Sequence, residues 1–91
     1  MRIQVRRTGG FGGIERFAEL DTADRADADE LQELARQVLA KGHRTPPVGV
    51  PDGFSYQITV EGETVYATDP RLSEKESRLV SVVLKEGAKQ T

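Results

Sequence analysis

The sequence predicts an α+β fold: a four-stranded antiparallel sheet with two helices packed on one face, in the order ββαββα, with residues 1–91 forming one domain. Three observations predict it. Residues 2–7 and 54–61 alternate apolar and polar side chains, the period of a half-buried strand. Residues 31–39 and 79–84 carry apolar side chains at helical spacing. Glycine, proline and aspartate cluster between these stretches, where the chain has to turn.

The elements follow in order. Ile3 and Val5 share one face of the first strand, and Arg2, Gln4 and Arg6 the other. After Thr8-Gly-Gly-Phe-Gly-Gly13, residues 14–20 form a second strand. Ile14, Ala18 and Leu20 share a face that Arg16 interrupts, and Phe17 interrupts the opposite face of Glu15 and Glu19. A bulge or an edge position would account for both interruptions. Leu31, Leu34, Ala35, Val38 and Leu39 then follow the i, i+3, i+4, i+7, i+8 pattern of an amphipathic helix. Asp27 with Glu30 gives it a carboxylate form of the capping box, and Lys41-Gly42 closes it. His43 to Gly53 holds three prolines and two glycines and reads as a loop. Phe54, Tyr56, Ile58 and Val60 alternate with polar residues in the cleanest strand of the chain. Glu61-Gly62 turns it into a return strand at 64–68, with Val65 and Ala67 inward. Asp69-Pro70 ends that strand. Ser73 and Glu76 form a capping box for a second helix, which carries Leu79, Val80, Val82, Val83 and Leu84 and closes at Lys85 and Gly87. Ala88 to Thr91 are expected to fray.

Composition narrows the function. Charged residues make up 31% of the chain and sum to a net charge of -2, with both signs interspersed, which argues against a general nucleic-acid binder. The absence of cysteine removes thiol catalysis, disulfides and Cys-ligated zinc. No apolar run spans a membrane, and the basic start lacks the apolar stretch of a secretory signal, so the expected compartment is the cytoplasm. An enzyme is not expected. The one histidine, His43, lies in the proline-rich loop, and no HExxH zinc signature is present. The acidic run Asp21, Asp24, Asp27, Asp29 and Glu30 lacks the glycine and the terminal glutamate of a calcium loop; it reads as the charged start of a helix. No cofactor is expected.

The glycine-rich stretch at 8–13 is not a phosphate cradle. Ile14-Glu15 stands where a Walker loop needs Lys-Ser/Thr, and the following element reads as a strand rather than a helix. It is either a hairpin turn or a recognition loop. Its four glycines exceed what a turn demands. Phe11 either folds back against the sheet or docks on a partner. The topology brings this stretch, the loop after the first helix and the corner 69–72 toward one end of the sheet. Such clustering suits recognition, and it is also what any small domain does with its loops.

These residues also carry a resemblance. The segment MRIQVRRTGGFGGIERFAELDT resembles the opening of the emfourin family, small proteinaceous inhibitors of thermolysin-like (M4) metallopeptidases: a basic first strand, a Gly-Gly-Phe-x-Gly turn, and a second strand ending in Asp-Thr. PDGFSYQITVEGETVYATDP is similar to the family's third and fourth strands, and LSEKESRLVSVVL to its last helix. The chain departs from the family at Lys41 to Pro47, where relatives often carry a Phe-rich, Leu-Pro segment. The resemblance implies inhibition of an M4 zinc protease, with the zinc in the partner, by a chain that is monomeric when free and binds neither nucleic acid nor membrane. It implies a protease-binding set of Thr8, Gly9, Gly10, Phe11, Gly12, Gly13, His43, Pro46, Pro47 and Arg71. Phe11 is the side chain expected to enter the pocket beyond the scissile bond, a pocket that favours bulky apolar groups.

Overall fold

The computed structural model describes residues 1–9, 15–23, 25–45, 53–68 and 71–90. Its elements are β1 (Arg2–Gly9), β2 (Arg16–Asp21), α1 (Ala28–Lys41), β3 (Phe54–Val60), β4 (Glu63–Thr68), α2 (Glu74–Glu86) and β5 (Ala88–Gln90). The sequence-predicted order ββαββα and the antiparallel sheet are both present. The sheet runs β4-β3-β1-β2-β5, so a short fifth strand adds to the expected four.

Register explains why the alternation was so regular. Ile3 faces Leu20 on one side and Val60 on the other, while Val5 faces Ala18 and Ile58. Ile58 in turn faces Val65, and Tyr56 faces Ala67. Every one of these side chains is buried, so a single continuous apolar face crosses four strands. Helices α1 and α2 cover it with Leu31, Leu34, Ala35 and Val38 from the first and Leu79, Val80 and Val83 from the second. The opposite face carries Gln4, Thr59, Thr64 and Tyr66 and, among the described residues, has no helix over it. There the Thr59 and Thr64 hydroxyls lie 2.9 Å apart in a cross-strand hydrogen bond.

Three local expectations changed. The chain after α2 does not fray: Ala88–Gln90 pairs with Phe17–Glu19 of β2. Gly87 permits this, because a Cβ there would lie 2.5 Å from the Val83 carbonyl oxygen and 2.7 Å from that of Glu19. Only a glycine lets the chain cross so close to β2. At α1, Asp27 makes no capping hydrogen bond with its side chain. Arg25 takes that carboxylate instead, donating from Nε at 2.8 Å and from Nη2 at 3.1 Å, and also donates to Glu86 at 3.1 Å. These hydrogen bonds from Arg25 hold the Asp27 carboxyl below its usual pKa, and those to Asp27 and Glu86 hold the Arg25 guanidinium above its own. The second strand begins at Arg16; Ile14 lies outside the described residues. The box at α2 forms as expected, with Ser73 Oγ accepting from the Glu76 N–H at 3.1 Å and Glu76 accepting from the Ser73 N–H at 3.0 Å.

The sheet has two distinct ends. At the lower end lie Met1, the α1 start, the α2 end and the Glu61-Gly62 turn, whose two residues have φ of 50° and 83°. That is the geometry of a two-residue hairpin loop. At the upper end β1 finishes beside the starts of β2 and β3 and the finish of β4.

Candidate functional site

The upper end is built by three strand pairings. Gly9 stands opposite Phe54, Thr8 opposite Ser55, and Ser55 opposite Thr68. Arg7 stands opposite Arg16 on one side and Tyr56 on the other. The segments that leave and re-enter at this end are therefore anchored on adjacent strands. Gly9 has a left-handed φ of 99°, and a Cβ on it would approach the Gly53 carbonyl oxygen to 3.0 Å. Both facts require glycine where β1 passes into the 10–13 stretch.

Of the sequence-predicted site residues, Thr8 and Gly9 are half-buried at this end, and Arg71 is exposed just before α2. His43 is exposed and stands to the side: its carbonyl accepts the Tyr66 N–H at 2.8 Å, pairing it with the outer edge of β4. The reason is Gly42, whose missing side chain lets the end of α1 press against Val65; a Cβ there would lie 2.6 Å from the Val65 Cβ. The chain beyond α1 thus starts along the sheet edge. Gly10, Phe11, Gly12, Gly13, Pro46 and Pro47 lie outside the described residues.

Sequence reasoning passed over the charge at this end. Arg7 has the inward parity of Ile3 and Val5, so its stem lies on the core face. Its guanidinium carbon sits 4.3 Å from the centre of the Phe54 ring, and its Nε is buried with no hydrogen-bond partner among the described residues. Arg16, exposed, is its direct cross-strand neighbour. The signal was available: two arginines occupy inward positions on successive strands, and Arg16 had already interrupted an apolar face.

Little else offers chemistry. Among the described residues no group of three or more His, Cys, Asp or Glu side chains could hold a metal. A shallow groove of about 400 Å³ lies between the end of α1 and the start of α2. Its Lys41, Lys75 and Arg78 are offset by Glu74 and Glu76. No helix is long and apolar enough to cross a membrane.

Fold and site together define a small α+β protein whose distinctive surface, among the described residues, is the arginine-bearing end of the sheet. The family model Emfourin matches residues 5–84, nearly the whole of this architecture from β1 to α2, and the chain belongs to the emfourin family. The family is one of inhibitors, and membership suggests a metallopeptidase-inhibitor role. No match to the chain was found among curated proteins or among solved structures.

Proposed function

We propose that the chain inhibits a thermolysin-like (M4) zinc metallopeptidase by presenting its upper end to the active-site cleft. The observation that carries this reading is the family match across residues 5–84. Phe11, flanked by glycines, is the side chain that enters the pocket beyond the scissile bond, while Thr8, Gly9, Gly10, Gly12 and Gly13 let the backbone approach the cleft wall. Pro46, Pro47 and Arg71 form contacts around it, with His43 at the flank. The rigid sheet supports the reading: a turn held at both ends by paired strands loses less freedom on binding than a free peptide. The zinc and the catalytic groups belong to the protease.

Hydrolysis of a peptide substrate by several M4 proteases, with and without the chain, tests this directly. Inhibition that saturates near one equivalent is expected. Phe11→Ala should raise the inhibition constant by the equivalent of about 2 kcal/mol or more, as buried interface anchors do. A loss under about 1 kcal/mol removes Phe11 from the central role. Absence of inhibition across the set would leave an adaptor that pairs through a sheet edge. Such pairing would use the outer strands β4 and β5, the first of which His43 bridges at Tyr66.

A further inference from the structure

Six of the arginines have a carboxylate within 4.0 Å: Arg2 with Glu19, Arg6 with Glu15, Arg25 with Asp27 and Glu86, Arg36 with Glu33, Arg44 with Glu63, and Arg78 with Glu74. Arg7, Arg16 and Arg71 have no such partner among the described residues, and all three lie at the upper end.

The arrangement disfavours the free protein. Arg7 and Arg16 oppose each other directly across two strands, where like charges repel. Arg7 also buries its Nε without an acceptor among the described residues. A carboxylate arriving at this end relieves both. Phe54 holds the Arg7 guanidinium in place beforehand, so its planar fork meets a carboxylate with little further ordering.

We infer that Arg7 and Arg16, with Arg71 at the start of α2, form a carboxylate-recognition patch, and that the protease presents acidic side chains to this end of the sheet. This rests on the inhibitor reading above and adds the partner's chemistry to it. A protein carboxylate is favoured over a nucleic-acid phosphate because the chain carries a net charge of -2 and its other arginines are already neutralised.

The test follows inhibition of an M4 protease by wild type, Arg7→Gln, Arg7→Lys and Arg16→Gln at low and at physiological salt, with thermal unfolding of each variant. Wild-type association should slow by roughly tenfold as salt rises, the mark of charge steering. Arg16→Gln should weaken that salt dependence and melt no lower than wild type. Arg7→Gln should raise the inhibition constant about 30-fold, and Arg7→Lys, which keeps charge but not the fork, by less. Should Arg7→Gln prove poorly folded, Arg16→Gln and the wild-type salt dependence decide. Wild-type inhibition that is independent of salt and unchanged within about twofold in the variants overturns the patch and leaves the inhibitor reading standing. Wild type that inhibits no M4 protease overturns both, as would an arginine-dependent affinity for an oligonucleotide in place of a protease.

Discussion

The two ends of the sheet are built on opposite principles. At the lower end the charged and buried polar groups at Met1, Thr22 and Arg25 are matched to one another or to neighbours. The Met1 ammonium lies 3.8 Å from Asp21 and 3.7 Å from Glu61, and Arg25 ties the start of α1 to the end of α2 through Asp27 and Glu86. Thr22, fully buried, donates to the Met1 carbonyl at 3.3 Å and accepts from Gln32 at 3.1 Å. At the upper end an arginine is stacked but has no carboxylate partner among the described residues, and a like charge faces it. Local disfavour of this kind persists only where the rest of the fold outweighs it, and it concentrates where proteins bind. Stability here resides in the core and the lower end, which leaves the upper end free to be poor in isolation and good in a complex.

The sharpest way to break this contrast is to remove stability without touching the upper end. Ile58 is fully buried on β3, between Val5 and Val65. Ile58→Ala should cost about 2–5 kcal/mol, read as a lower midpoint in chemical denaturation. Inhibition measured under conditions where the variant remains folded should be nearly unchanged. A large loss there would mean that the two regions are not independent. Next in size is Gly87→Ala, whose new methyl meets the backbone of Val83 and Glu19 rather than a movable side chain. It should cost about 1–3 kcal/mol and expose the amides of β5 to hydrogen exchange.

Much of this separation was legible in the sequence. The core face of β1, β3 and β4 follows from period-two alternation and both helices from spacing, because burial imposes those periods; the capping box at α2 follows as well. That β1 ends beside the starts of β2 and β3 and the end of β4 follows from topology. Two things escaped. The fifth strand depends on Gly87 passing close to Glu19, a tertiary contact with no local sequence signature. The arginine pair escaped because Arg7 and Arg16 are nine positions apart in sequence, so only the strand register makes them neighbours. Asp27 fell short as a side-chain cap for a similar reason: its carboxylate had a stronger suitor in Arg25, two residues away, with Glu86 completing the network.

That network gives a smaller, pH-dependent effect at the lower end. The folded-state pKa of Asp27 lies below its unfolded value, so its contribution is complete above the ordinary aspartate range near 4 and is lost as pH falls through the folded value. Because the group is largely exposed, the effect should be modest. Asp27→Asn should flatten the acid limb of the stability curve slightly while leaving stability at pH 7 to 9 with a constant offset. An acid limb identical to wild type would show that the Arg25 bridge does not form in solution.

The smallest change in stability should have the opposite sign. Replacing Arg16 with threonine removes the charge facing Arg7 and puts a good strand former on β2. Relief of a directly opposed like-charge pair is worth about 0.2–1 kcal/mol, so Arg16→Thr should melt slightly higher than wild type. If the arginines are there for a partner's carboxylates, the same variant should inhibit less well. A gain in stability with a loss in binding is a combination that damage to the fold cannot produce, because a damaged fold loses both. A lower melting temperature would instead make Arg16 a structural residue, and the contrast between the two ends would then rest on Arg7 alone.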